Sequence, residues 1–326
     1  MPALPNLESP LFFTPVYKDY LWGGDAIPRR FGRQDAPARC AESWEISAHP
    51  DGMSVVADGP LAGRTLADLA REYGRALLGS RAPSATRFPL LFKLIDARDR
   101  LSIQIHPSAA DPLANPDEIK NECWHSLGRT ADASIFAGFK DGVADASAFA
   151  DLSALPSLMR VHEPREGETL FIPSGLVHAI GAGNLVYEVQ QSSNTTYRFY
   201  DWDRLDKFGK LRPLHVAEAT RSIDWSLPPP SFTHPAPSGR PGVDLCLRTP
   251  FFTIYACVAD AGVETAFDTA GESFHVVFVK SGAYTLRCGA GIHALAAGTS
   301  ALLPACLGGY SLAKNTGEGS ALVTTL

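Results

Sequence analysis

Two histidines, a glutamate and a glutamine are the residues of this chain whose types and spacing point to chemistry. Gln104 and His106 stand two apart in LSIQIHP, Leu101 to Pro107; Glu122 lies sixteen residues past His106, and His178 opens the run after FIPSG. Side chains alternate between the two faces of a strand, so a Gln-x-His pair presents both polar groups on one side and Ile103 and Ile105 on the other. The flanking runs, PLLFKLI and ECWHSL, both read as buried, which makes a solvent-facing polar row a poor account of Gln104 and His106. Two imidazoles, a carboxylate and an amide oxygen form a borderline-hard donor set that suits zinc, manganese or iron(II). The set has no thiolate, so it does not describe a closed structural zinc site; water or substrate would complete the coordination, as at a catalytic metal. Each residue also has a plainer reading. A strand histidine is commonly a hydrogen-bonded core or surface residue, glutamine is an uncommon ligand, and Glu122 beside Cys123 and Trp124 can serve an ion pair. Spacing alone leaves both readings open.

The elements that would hold these side chains are mostly short strands. SWEIS, MSVVA, LLFKLI, LSIQIH, SIFAGF, ETLFIP, LVYEVQ, TYRFYD, FTIYACV, HVVFVKS, AYTLRC, SALLPA and SALVTTL are rich in β-branched and aromatic residues, with turn residues between many of them. That pattern predicts a mainly β sandwich or barrel rather than alternating β-α units. Helices are expected over Arg64 to Gly79, Asp145 to Leu155 and Pro213 to Ile223. Six prolines between Ser226 and Gly242 mark a stiff linker. The expected organisation is therefore a metal-binding domain with helical insertions over 1–225, a linker over 226–242 and a second barrel over 243–326. EGETLFIPSGLVHAIGAG in the first part is echoed by AAGTSALLPACLGGYSLAKN in the second, where the residues around Leu307 to Tyr310 take the place of His178. The second barrel is thus expected to lack metal ligands.

Composition narrows the function. The chain has 326 residues, a net charge of −6, 45% hydrophobic and 20% charged residues, which fits a globular protein with a real core. No Lys/Arg run exceeds two residues, so neither nucleic acid nor an anionic membrane is an expected partner. The start, MPALPNLESPLFF, has no basic region and no apolar stretch of signal length, and no segment reaches a membrane-spanning ~20 apolar residues. Cys40, Cys123, Cys246, Cys257, Cys288 and Cys306 contain no C-x-x-C pair and are expected to be reduced packing residues in a cytoplasmic protein.

Several short motifs in fixed order carry a resemblance. YLWGG, ESWEIS, LSIQIHP, IKNECW, FIPSGLVHAIGAGNLVYEVQQSSNTTYRFYDWDR and DKFGKLRPLH, spanning about residues 15 to 216, are similar to type I mannose-6-phosphate isomerases, particularly the short bacterial form. The resemblance implies a pair of cupin (jelly-roll) barrels with a small helical region attached to the first. It also implies one zinc ion per chain and interconversion of mannose 6-phosphate and fructose 6-phosphate, a small-molecule sugar phosphate substrate. Carried over by motif, it makes Gln104, His106, Glu122 and His178 the metal ligands and places the family's active-site arginine on Arg198. Lys120, two residues before Glu122, matches a lysine of the longer members.

That chemistry moves a proton between C2 and C1 through an enediolate. A metal can orient or polarise the oxygens, Arg198 can hold negative charge without titrating, and the Lys120 amine, its pKa lowered near the positive metal, can shuttle the proton. One departure stands out: where the family usually carries aspartate four residues before the arginine, this chain has Asn194, which cannot act as an acid or base. His125 stands where an aromatic is expected and reads as structural. Arg204, Lys207, Lys210 and Arg212 are phosphate candidates, with Arg204 favoured for substrate binding, while Trp22 beside Gly23 and Gly24 is expected to wall a sugar pocket. Glu42 and Glu45 fall on opposite faces of ESWEIS, so at most one faces the site. Two other functions compete with the isomerase: an iron-dependent cupin oxygenase using His106, Glu122 and His178 as a facial triad, and a non-catalytic sugar-phosphate-binding cupin. A bifunctional isomerase–guanylyltransferase is disfavoured, since no Gly-rich nucleotide loop precedes the barrel.

Overall fold

Runs rich in β-branched and aromatic side chains between turn residues become short antiparallel strands, and the fold is mainly β. The structure is a computed structural model and describes residues 7–149, 151–206, 208–315 and 317–326. The chain divides into two compact units. One comprises Tyr17–Ser43 and Phe92–Phe232; the other comprises Met1–Val16, Trp44–Leu91 and Thr233–Leu326.

The first unit contains the chemistry-bearing residues. One of its sheets runs Tyr197–Tyr200, Ile103–Ile105, His178–Ile180, Ile135–Phe139 and Met159–His162 in neighbour order. A second sheet places Thr169–Ile172, Glu122–Arg129, Asn184–Gln191 and Leu90–Ala97 side by side. Between them lies a core of Trp22, Ile95, Leu101, Trp124, Ile172 and Ile180, drawn from both sheets and the loops beside them. In the other unit an eight-stranded and a four-stranded sheet enclose Val277, Val279, Tyr284, Leu286, Leu312 and Val323.

The division differs from the one expected from the sequence. Residues 44–91 group with the C-terminal strands rather than with 1–225, and of the expected helices the Arg64 to Gly79 stretch goes with them. Close packing explains this. A Cβ at Gly79 would fall 2.3 Å from the Glu272 carbonyl oxygen. The amides of Ser80 and Arg81 donate to Gly271 and Glu272 at 3.0 and 2.9 Å, and the Phe88 and Phe274 rings lie 4.7 Å apart. The Arg64 to Gly79 stretch is two helices, Leu66–Tyr73 and Arg75–Leu78, because Gly74 at φ 51° breaks the run. Part of the proline-rich stretch is also ordered as a strand: Ala236–Arg240 pairs with Val243–Arg248 at a sheet edge, the place where a strand tolerates proline. Of the other expected helices, Val216–Ser222 forms within 213–223, whereas 145–155 supplies only short 3-10 turns before the Leu155–Leu158 helix.

No disulfide joins any of the six cysteines; Cys40, Cys123, Cys246 and Cys257 are buried, Cys288 is half-buried and Cys306 is exposed. Among the described residues no helix is long and apolar enough to cross a membrane.

Candidate metal centre and active site

Strand register brings the predicted residues together. Gln104 is paired with Arg198 on one side and His178 on the other, so three of them form one cross-strand row. Paired residues in adjacent strands project to the same side of a sheet, which aims all three the same way. Glu122 comes from the other sheet, between Ile172 and Gln190. His106 follows immediately after its strand. The result is that His106 Nε2 lies 2.9 Å from Glu122 Oε2, and His178 Nε2 lies 3.5 Å from Glu122 Oε1. The Gln104 amide reaches to 3.4 Å from His178 Nε2. His106, Glu122 and His178 are the cluster of three metal-ligating side chains found among the described residues, and all three are buried.

Their protonation states suit a cation. Burial, opposed by the Glu122 charge, pushes the His106 imidazole down to about 3, and burial lowers His178 as well. Burial alone would raise Glu122, but His106, Lys120 and His178 outweigh it and hold the carboxylate ionised. His178 Nδ1–H donates to the Leu176 carbonyl at 2.8 Å, which leaves the Nε2 lone pair facing inward. Nδ1 of His106 and Oε1 of Glu122 are buried with no hydrogen-bond partner among the described residues, a costly arrangement for a protein interior. Ligand atoms each ~2.0–2.2 Å from one zinc ion cannot lie more than about 4.4 Å apart, and the two histidine–Glu122 distances satisfy that limit. Two neutral imidazoles and an ionised carboxylate are the forms that bind a metal, so the residues present fit one.

The cluster opens into a polar cavity of about 270 Å³. That is just below the ~300–1,000 Å³ of drug-sized sites and suits a small polar ligand. Its walls include Trp22, Lys120, Asn194, Arg198 and Arg212 together with Glu42, Lys93 and Glu188. Lys120 Nζ is buried 3.6 Å from Glu122 Oε2 and donates to Gln190 Oε1 at 3.4 Å. Its pKa is lowered chiefly by burial, against the pull of Glu122. Arg198 sends Nη1 to the Pro213 carbonyl at 2.9 Å, while its buried Nε has no acceptor among the described residues.

Trp22 reaches the wall because the two glycines after it allow close approach. A Cβ on Gly23 would fall 2.5 Å from the Ala41 Cβ, and one on Gly24 would fall 2.5 Å from Asp96 Oδ2.

Other expectations are placed differently. Arg204 does not line the cavity: it donates to Asp99 at 3.2 Å, to the Arg100 carbonyl at 2.9 Å and to Asp201 at 2.8 Å, so its charge is spent on the loop. Arg212 does line it, with its Nε bound to Asp201 at 2.6 Å. Lys210 is outside the lining, and Lys207 lies outside the described residues. His125 points away, its Nδ1 2.9 Å from the Thr169 hydroxyl. Of the two glutamates in ESWEIS, Glu42 lines the cavity and Glu45 accepts from the Ser300 hydroxyl at 3.0 Å.

Sequence reasoning missed Lys93 and Glu188. Lys93 Nζ lies 3.0 Å from Glu188 Oε1 and 3.9 Å from Glu42 Oε2, and Glu188 Oε2 accepts the Trp124 indole N–H at 2.9 Å. Burial pulls the Lys93 ammonium down, yet Glu188, Glu42 and Glu122 more than offset it and raise its pKa. A single charge in the middle of each apolar strand, LLFKLI and LVYEVQ, was the available signal, since a buried charge needs a partner.

This fold is that of a known class. Residues 11–127 match phosphomannose isomerase type I, catalytic domain, and the chain belongs to that family. It is 35% identical over 306 residues to the mannose-6-phosphate isomerase of Streptococcus mutans, covering 91% of this chain and 93% of the relative. It is 40% identical over 220 residues to mannose-6-phosphate isomerase ManA of Bacillus subtilis, covering 66% and 68%. The crystal structure of a mannose 6-phosphate isomerase from Bacillus subtilis superposes with a TM-score of 0.85 at 32% identity, over 98% of this chain and 100% of that one.

Proposed function

We propose that this chain interconverts mannose 6-phosphate and fructose 6-phosphate, using one zinc ion held by Gln104, His106, Glu122 and His178. The observation that carries the reading is the buried His106–Glu122–His178 cluster, whose Glu122, with Gln104, lines a cavity that also exposes Lys120 and Arg198. The relatives at 35% and 40% identity bear the name of this activity, and they do not favour the oxygenase or the binding-only reading.

The bound ion would supply Lewis acidity toward the sugar's C1 and C2 oxygens. The neutral Lys120 amine takes the proton from C2 of the open-chain aldose. The C–H electron pair then forms the C1=C2 bond, and the former carbonyl oxygen gains negative charge. Arg198 faces that charge with a guanidinium that does not titrate at working pH. The Lys120 ammonium returns the proton to C1 as the O2 hydroxyl passes its own proton to O1, so that O1 becomes the hydroxyl and O2 the ketose carbonyl. Trp22 closes one wall, and Asn194 contributes an amide that can hydrogen-bond a sugar hydroxyl but cannot carry a proton. Arg212 adds positive charge at the same cavity, which suits an anionic sugar phosphate.

A coupled assay of zinc-loaded protein should show mannose 6-phosphate converted to fructose 6-phosphate, lost on chelation and restored by zinc. No turnover with one zinc bound per chain would overturn the proposal.

A further inference from the structure

We infer that His215 is the positioning residue for Arg198, its imidazole standing in for a missing neighbouring strand. The inference rests on the isomerase reading, because it concerns the arginine that reading uses. Arg198 lies on Tyr197–Tyr200, an edge strand of its sheet, which among the described residues pairs only with Ile103–Ile105. The pairing shifts register between Arg198 and Tyr200. An edge strand leaves backbone groups that need partners from elsewhere. His215 supplies both at Arg198: the Arg198 N–H donates to His215 Nδ1 at 3.1 Å, and the His215 N–H donates to the Arg198 carbonyl at 2.7 Å. Side-chain nitrogen and backbone amide thus form one rung of a ladder with no strand behind it among the described residues. Two residues upstream, the Pro213 carbonyl accepts the Arg198 guanidinium at 2.9 Å. The segment 213–215 therefore fixes the backbone and the head of the same arginine.

The placement of His215 agrees with this role. It precedes the helix Val216–Ser222 at the N-cap position, where Ser, Thr, Asp or Asn is the usual occupant, and its side chain makes no cap hydrogen bond. The ring serves Arg198 instead. The helix is itself anchored beneath the strands: Ala219 and Ile223 pack with Ile103, Ile105 and Phe199, and the Ser108 hydroxyl donates to the Ser222 carbonyl at 2.6 Å. His215 does not line the cavity, so it acts through Arg198. To accept from a backbone N–H, Nδ1 must carry a lone pair, with the ring proton on Nε2.

That requirement defines the test. Asparagine places Oδ1 where histidine places Nδ1, whereas glutamine puts its polar atoms near Nε2 and leaves the Arg198 amide without an acceptor. In the zinc-loaded protein, His215→Gln should lower kcat about 10- to 100-fold, the scale of a small misplacement of a catalytic group, with KM changed less. His215→Asn should stay close to the parent. Zinc content, measured on both, should be unchanged. Hydrogen–deuterium exchange of a peptide covering 197–200 gives a readout independent of turnover: faster exchange in His215→Gln, parental exchange in His215→Asn. Equal exchange in the two variants overturns the inference, as does parental kcat in His215→Gln. A parent with no turnover removes the isomerase reading, and the exchange comparison still decides whether His215 holds Arg198.

Discussion

Burial of His106 has a consequence for the stability of the metal-free protein. The imidazole moves from 6.5 to about 3, with burial the leading cause and the Glu122 charge opposing it. A folded-state pKa below the unfolded value means that the unfolded chain takes up the proton first as pH falls. The associated stability is therefore intact above pH 6.5 and is lost through the window from 6.5 down to about 3. Over the full window the loss is ~5 kcal/mol at 1.36 kcal/mol per pH unit, and by pH 5 it is about 2 kcal/mol from this one residue. His178, also lowered by burial, acts in the same direction. Urea unfolding of chelator-stripped protein at pH 7.5 and 5 measures the loss directly. His106→Gln removes the titrating group and keeps a polar side chain of similar size. Its pH slope should be shallower than the parent's by up to ~1.4 kcal/mol per unit below pH 6.5. Identical slopes for parent and variant would refute the argument that His106 is held neutral by burial.

Three further outcomes follow from the same site. Lys120→Met should lower turnover about 10²- to 10⁴-fold, the range of general acid–base catalysis, with zinc content intact; normal turnover in the coupled assay removes Lys120 from the mechanism. Gly24→Ala would bring a Cβ to 2.5 Å from Asp96 Oδ2, which cannot swing away without releasing the Ala26 N–H it accepts at 2.6 Å. The expected cost is about 1–3 kcal/mol, read from the urea midpoint, and an unchanged midpoint contradicts it. Glu118 accepts the hydroxyls of Ser193 and Thr195, both at 2.6 Å, and so ties the loop carrying Asn194 to the segment that leads into Lys120. Glu118→Ala should accelerate exchange in a peptide covering 192–196 and lower turnover, and an unaffected peptide would show that the clasp does not order the loop.

The strands were legible because each is a local pattern, a run rich in β-branched and aromatic residues closed by turn residues. The grouping of residues 44–91 was not, since nothing near Gly79 announces that its missing Cβ makes room for Glu272, nearly 200 positions away. The proline-rich stretch misled for a related reason: proline excludes an interior strand but not an edge strand, and only the fold says where the edge is. At the site, Gln104 and His106 were visible through their period of two. Glu122 and His178 were visible only as possibilities, because their approach depends on the register that pairs His178 with Gln104 and on the meeting of two sheets. Arg204 and Arg212 look alike in DWDRLDKFGKLRPLH, and the sequence does not say which of them faces the cavity. His215 left no trace, since its role lies in one backbone rung.

Asn194 at the cavity wall changes the inventory of proton carriers. Apart from the proposed ligands and the non-titrating arginines, the ionisable side chains among the cavity-lining residues are Glu42, Lys93, Lys120, Glu188 and the exposed Tyr20 phenol. Tyr20 lies at the mouth beside Trp22, away from the buried end. Lys93 stands between Glu188 and Glu42, and Glu188 is further bound by the Trp124 indole, so these groups answer one another. A proton taken by Glu188 would leave Lys93 with one carboxylate fewer, and one given up by Lys93 would leave two buried carboxylates facing each other. Either change is costly where burial weakens screening. Lys120 is placed differently: its nearest carboxylate belongs to the proposed metal set, its other partner is the neutral Gln190 amide, and burial already draws it toward the neutral amine. An isomerase built on these residues would use Lys120 as a single carrier that removes the C2 proton and returns it to C1, with Arg198, set in place from 213–215, holding the charge in between.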